Sequence, residues 1–142
     1  MKVFFDTNVI IDAITSRDYN YRDSQKLVVK AAKKEIDGYI SSKQITDIYY
    51  ILRKYINDEK TKRIVLKQIF DTFEILPFLR SDAAFCVNSK IDDYEDAVIA
   101  EAAKVNCIPY LITNDIKHFK NADINVLTPH DLIVLLDAKS SA

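Results

Sequence analysis

Apolar positions along the chain follow two periods, and they alternate. Lys2–Phe5 reads as a short buried strand that stops at Asp6, and Thr7-Asn8 then opens a short helix through about Ala13, with Thr7 as its expected N-cap. From Asp23 to about Lys34, Leu27, Val28 and Ala31 recur at helical spacing. Gly38 precedes a short strand, Tyr39-Ile40. Ser41 or Ser42 then caps a helix whose apolar stripe is Ile45, Ile48, Tyr49, Leu52, Tyr55 and Ile56. Glu59–Thr72 is a second amphipathic helix, followed by the brief strand Glu74–Leu76 before Pro77. Helices are expected from Ser81 to about Ser89 and, rich in alanine, from Asp93 to about Val105. Tyr110–Thr113 and Asn125–Leu127 read as strands, and Pro129 sits at the first turn of a last helix, Asp131 to about Leu136. Strands alternating with helices predict an α/β fold with a mostly parallel sheet covered on both faces. In such sheets the ligand site lies beyond the carboxyl ends of the strands.

Four acids fall where that rule points. Asp6 ends the first strand, and Asp47 lies in the early turns of the helix after the second. Asp96 lies in the first turn of the alanine-rich helix, and Asp115 follows the strand Tyr110–Thr113. Each alone has a plain structural use, in a turn, at a helix start or facing solvent. Asp93 and Asp96, for example, have the spacing of a capping box. Together on one edge they would be costly, since two carboxylates about 4 Å apart repel by roughly 4 kcal/mol at an effective dielectric near 20. Such a cluster either takes up protons or binds a divalent cation, which can lower the pKa of a bound water and steady charge on a phosphoryl oxygen.

Composition narrows the chemistry. The chain has 142 residues, enough for one domain with one core, and its net charge is −1, so no global positive field draws in nucleic acid. With one glycine, Gly38, neither a P-loop nor a dinucleotide fingerprint can be present. With two histidines, His118 and His130, a multi-histidine zinc site is excluded, so a bound metal would have oxygen ligands and be Mg²⁺ or Mn²⁺. Cys86 and Cys107 have no CxxC spacing and are expected to be small buried side chains. Asp6 interrupts the first apolar stretch too early for a signal peptide, no apolar run would span a bilayer, and a cytoplasmic location is expected.

The order of these motifs resembles the PIN-domain nucleases. Phe4-Phe5-Asp6-Thr7-Asn8-Val9-Ile10-Ile11-Asp12 is similar to the family's opening strand-turn-helix, and Ile40 to Ile48 to its second block, where Asp47 replaces the usual Glu. Asp93-Tyr94-Glu95-Asp96-Ala97-Val98-Ile99-Ala100 resembles the third block, and Leu111-Ile112-Thr113-Asn114-Asp115 through Phe119 the fourth. His118 stands where that block commonly has its last Asp, which alters or removes a supporting polar contact. Val126-Leu127-Thr128-Pro129 matches the closing strand and turn. The resemblance implies a single PIN domain over residues 1–142, Mg²⁺ or Mn²⁺ dependence, and cleavage of RNA by a metal-activated water. It implies Asp6, Asp96 and Asp115 as metal ligands and Asp47 as a fourth catalytic acid. Thr7, Asn8, Asp93 and Thr113 become the supporting shell, and Asp93 and Glu95 compete with Asp96 for the third-block role. Many family members of this length are toxins of VapBC-type pairs, which form homodimers and bind an antitoxin protein.

Other surfaces are less specific. Lys26, Lys30 and Lys33 or Lys34 share a helical face that could track an RNA backbone or simply be solvated. The helix Ile45–Ile56 and the segment after Glu59 are candidates for a partner groove. Against a haloacid-dehalogenase-like phosphatase, Asn8 stands where a second acid is needed. Against a response-regulator receiver, Asp6 is unpaired and Asn114-Asp115 replaces the expected lysine. A catalytically inactive PIN domain, serving as an RNA- or protein-interaction module, stays open because of Asp47.

Overall fold

In a computed structural model describing residues 1–141, five parallel strands form one sheet: β1 (Lys2–Phe5), β2 (Asp37–Ser41), β3 (Glu74–Leu76), β4 (Tyr110–Ile112) and β5 (Asn125–Leu127). Residue 142 of the expected 1–142 domain lies outside the described residues. The spatial order is β3-β2-β1-β4-β5. The chain runs outward from β1 to one edge, then returns to the other side of β1 with β4. The strand order therefore reverses around β1, and the crevice of a doubly wound sheet opens at its carboxyl end.

The strands are short and apolar because helices cover both faces. On one face Val3, Phe5 and Ile112 pack with α1 (Thr7–Thr15), α2 (Tyr21–Ala32), α3 (Ser42–Leu52), α4 (Glu59–Thr72) and α7 (Pro129–Ser140). On the other, Phe4 and Leu111 pack with α6 (Tyr94–Val105) and with Cys86, which follows α5 (Arg80–Phe85). The one-residue alternation along β1 thus feeds two cores. Gly38 lies inside β2 rather than before it, and the position admits only glycine without a shift of its neighbours, because a Cβ there would meet Phe73 Cδ1 at 2.8 Å and Ala31 Cβ at 3.0 Å. Phe73 takes that space and packs edge-on against Phe5, with ring centroids 4.9 Å apart.

Several local expectations shift. The N-cap of α1 is Asp6, not Thr7: its carboxylate accepts from the Thr7 N–H. The third helix stops at Leu52, short of Ile56, and Tyr55 and Ile56 follow in a closing turn whose N–H groups both donate to the Leu52 carbonyl. The expected helix to Ser89 splits into α5 and a 3₁₀ turn over Cys86–Asn88, and a second such turn covers Ile116–Phe119. The last helix starts at Pro129, capped by Thr128, and runs on to Ser140. Cys86 is buried as expected, but Cys107 is exposed, in a left-handed conformation just past α6.

Candidate active site

Three helices begin at the carboxyl edge of the sheet, and each brings an acid to one pocket of about 200 Å³. Its walls carry Asp6, Asp47, Asp96 and Asp115, together with Glu95, Lys43, Arg17 and His118. All four acids expected from the sequence are therefore brought together. Sequence reasoning did not assign the two cations or anticipate that Glu95 would share the pocket with Asp96.

Asp6 is the innermost, only 6% exposed. Its Oδ1 accepts from the Thr7 N–H at 2.8 Å, and its Oδ2 from the Thr113 hydroxyl at 2.7 Å. Burial outweighs those bonds and pushes the carboxyl up from 3.8 to about 6, with the negative charges of Asp96 and Asp115 adding to the rise. Asp96 is also raised, first by burial, then by Asp93, with His118 opposing. His118 Nδ1 stands 3.6 Å from Asp96 Oδ2. At this position of the fourth block an imidazole therefore faces Asp96 in place of a carboxylate.

The supporting residues form a frame between α1 and the segment after β4. Asn8 reaches Thr113 Oγ1 at 3.4 Å and Asp115 Oδ2 at 3.3 Å through its Nδ2, while its Oδ1 accepts from the Asn114 N–H at 3.2 Å. Thr113 Oγ1 also accepts from the Asp115 N–H at 3.0 Å. Asp93 is the N-cap of α6, accepting from the Asp96 N–H at 3.1 Å, so it holds the start of the helix that carries Asp96. Gln44, fully buried, ties α3 to β1: its Nε2 donates to the Phe5 carbonyl at 2.9 Å and to Thr7 Oγ1 at 3.1 Å, and its Oε1 accepts from the Ser41 N–H at 2.7 Å. Behind the pocket, buried Asp12 accepts from Arg17 Nε at 2.5 Å and Asn114 Nδ2 at 2.6 Å.

Asp47 is half-buried and paired, rather than facing solvent. Lys43 Nζ lies 2.7 Å from Asp47 Oδ2 and 3.7 Å from Glu95 Oε1. The lysine face of α2 does not lead into the pocket. Lys30 pairs with Glu35 at 3.4 Å, and Lys34 donates to the Asp71 and Thr72 carbonyls at 3.2 and 2.9 Å.

Among the described residues, no group of three or more His, Cys, Asp or Glu side chains is drawn together tightly enough to grip an ion as it stands. The donors nonetheless suit a hard divalent cation. They are carboxylate oxygens, and the innermost resists ionisation partly because of its neighbours' charge, a conflict that a cation relieves.

The PIN-domain family model matches residues 2–117. The chain belongs to the PIN-domain family. This PIN domain is 30% identical over 135 residues to ribonuclease VapC1 of Aquifex aeolicus (strain VF5), covering 92% of each chain. Its fold is similar to that of VapBC2 from Rickettsia felis bound to a promoter DNA fragment. The TM-score there is 0.68 at 22% identity, covering 90% of this chain and 98% of that one. A toxin–antitoxin complex from Klebsiella pneumoniae gives a TM-score of 0.65 at 24% identity, covering 89% and 97%.

Proposed function

We propose that this PIN domain is a Mg²⁺- or Mn²⁺-dependent endoribonuclease and the toxin of a VapBC-type toxin–antitoxin pair. The observation that carries the reading is the buried Asp6 facing Asp96 and Asp115 in one pocket at the strand carboxyl ends. Asp6, Asp96 and Asp115 would hold the ion. When bound, it supplies a lowered pKa for water and stabilises charge on the phosphodiester. The rest is the work of the chain. Thr113 and the Thr7 N–H fix the Asp6 carboxylate, Asn8 holds Asp115, and Asp93 holds the start of the helix that carries Asp96. Asp47 stays bound to Lys43 at the pocket wall, where the pair faces the substrate's charge.

The ribonuclease name of the Aquifex relative supports RNA as substrate, and the toxin–antitoxin complexes of similar fold support an antitoxin partner. Exposed Tyr50 on α3 and Tyr55 just after it, with Ile64 and Phe70 on α4, offer apolar surface for that partner or for a homodimer. No helix among the described residues is long and apolar enough to cross a membrane.

The test is cleavage of labelled RNA with Mn²⁺. The wild type cuts, EDTA stops it, and Asp96→Asn abolishes it. RNA left intact by folded wild type across several Mn²⁺ and Mg²⁺ concentrations would instead establish an inactive interaction module.

A further inference from the structure

We propose that Lys43 stands in for a second divalent cation, so that the pocket takes one metal ion and not two. The acids of the pocket fall into two groups. Asp6 and Asp115 are joined through Thr113 and Asn8, and Asp96 lines the same pocket beside them. Asp47 and Glu95 instead share the Lys43 ammonium, at 2.7 and 3.7 Å. A second ion bridging toward α3 would need the Asp47 carboxylate, and the lysine already holds it.

Helix energetics do not account for this lysine. Lys43 sits in the first turn of α3, where the helix dipole disfavours a cation. A Lys-to-Asp pair in that chain direction is also the weaker orientation at this spacing. Its side chain is nevertheless turned into the pocket and is only 21% exposed. What offsets the unfavourable position is the pair of acids, one from α3 and one from the first turn of α6. The ammonium thereby joins two helix starts across the site with one positive charge, and a second ion would have to displace it to enter.

This inference rests on the metal-dependent reading of the same site, and the experiment separates the two. Mn²⁺ uptake by the intact chain is followed by loss of the free-ion electron paramagnetic resonance signal. Wild type should bind one ion per chain. Lys43→Met should bind two, Lys43→Met with Asp47→Asn should return to one, and Asp47→Asn alone should stay at one. Should Lys43→Met not fold by circular dichroism, Lys43→Gln removes the same charge and gives the same readout. Two ions in the wild type, or one in the folded lysine variants, overturns the assignment of Lys43 while leaving RNA cleavage intact. No Mn²⁺ uptake and no cleavage in the wild type sinks both readings.

Discussion

Asp6→Asn should stabilise the metal-free protein while abolishing its activity. The penalty comes from holding a carboxylate almost wholly buried beside two others. The rise of the Asp6 carboxyl from 3.8 to about 6, at about 1.4 kcal/mol per pH unit, is worth about 3 kcal/mol of stability lost once the group is ionised. The sign follows from proton counts. Between 3.8 and about 6 the folded chain holds a proton on Asp6 that the unfolded chain has released. Stability therefore falls as pH rises through that window, and the full penalty is present above it.

Asparagine removes the charge but keeps only one oxygen. That oxygen can accept from the Thr7 N–H or from the Thr113 hydroxyl, not readily both. Thr113 Oγ1 already accepts from Asn8 and the Asp115 N–H, so it is poorly placed to take a third donor from the new amide. Losing one of the two bonds costs about 1 kcal/mol. The net gain at pH 7 to 8 is then about 2 kcal/mol, or roughly 6 °C in melting temperature for a chain of this size. The assay is urea and thermal unfolding of both proteins in EDTA from pH 4 to 8. The advantage of the variant should shrink as pH falls through that window and reverse by up to about 1 kcal/mol at the acid end, where only the lost bond remains, and millimolar Mg²⁺ should raise the melting point of the wild type alone. A variant equal to or less stable than wild type above pH 6, or an advantage unchanged on acidification, would refute the claim that Asp6 is electrostatically frustrated.

The other predictions concern the frame. Thr113→Val removes the hydroxyl that lowers the Asp6 pKa, so the acid limb of the RNA-cleavage pH profile should move up; an unmoved limb refutes it. Gln44→Ala leaves the Ser41 N–H and Phe5 carbonyl without their partner and should cost about 2 to 4 kcal/mol in urea unfolding. Gly38→Ala drives a methyl into the Phe73 ring and should cost about 1 to 3 kcal/mol, with Phe73→Leu partly relieving it in the double variant.

What the sequence made legible was whatever is written locally. Asp6 could be placed because a strand that must be buried ends there, and Asp96 because it opens a helix before a small-residue run. The parallel sheet followed from alternation, and the switch of strand order around β1 put those acids on one edge. The roles of side chains in the pocket were harder to read, because they depend on partners far away in the chain. Asp47 looked like a solvent-facing residue or a fourth ligand, since nothing in Lys43-Gln44-Ile45-Thr46-Asp47 indicates that Glu95 closes the same ion-pair set. Nothing local to Lys43 marks it for a role in the pocket. Arg17 and Asp12 were equally silent, because Asn114 completes their network from the other side of β1. Thr7 was mistaken for the N-cap because a buried carboxylate can cap a helix and still present its second oxygen to a pocket. That dual use has a consequence for the chemistry. On the proposed reading the residue that starts α1 is also a metal ligand, so its position is set by the helix start, and fine adjustment of the site falls to Thr113 and Lys43, which lie outside α1.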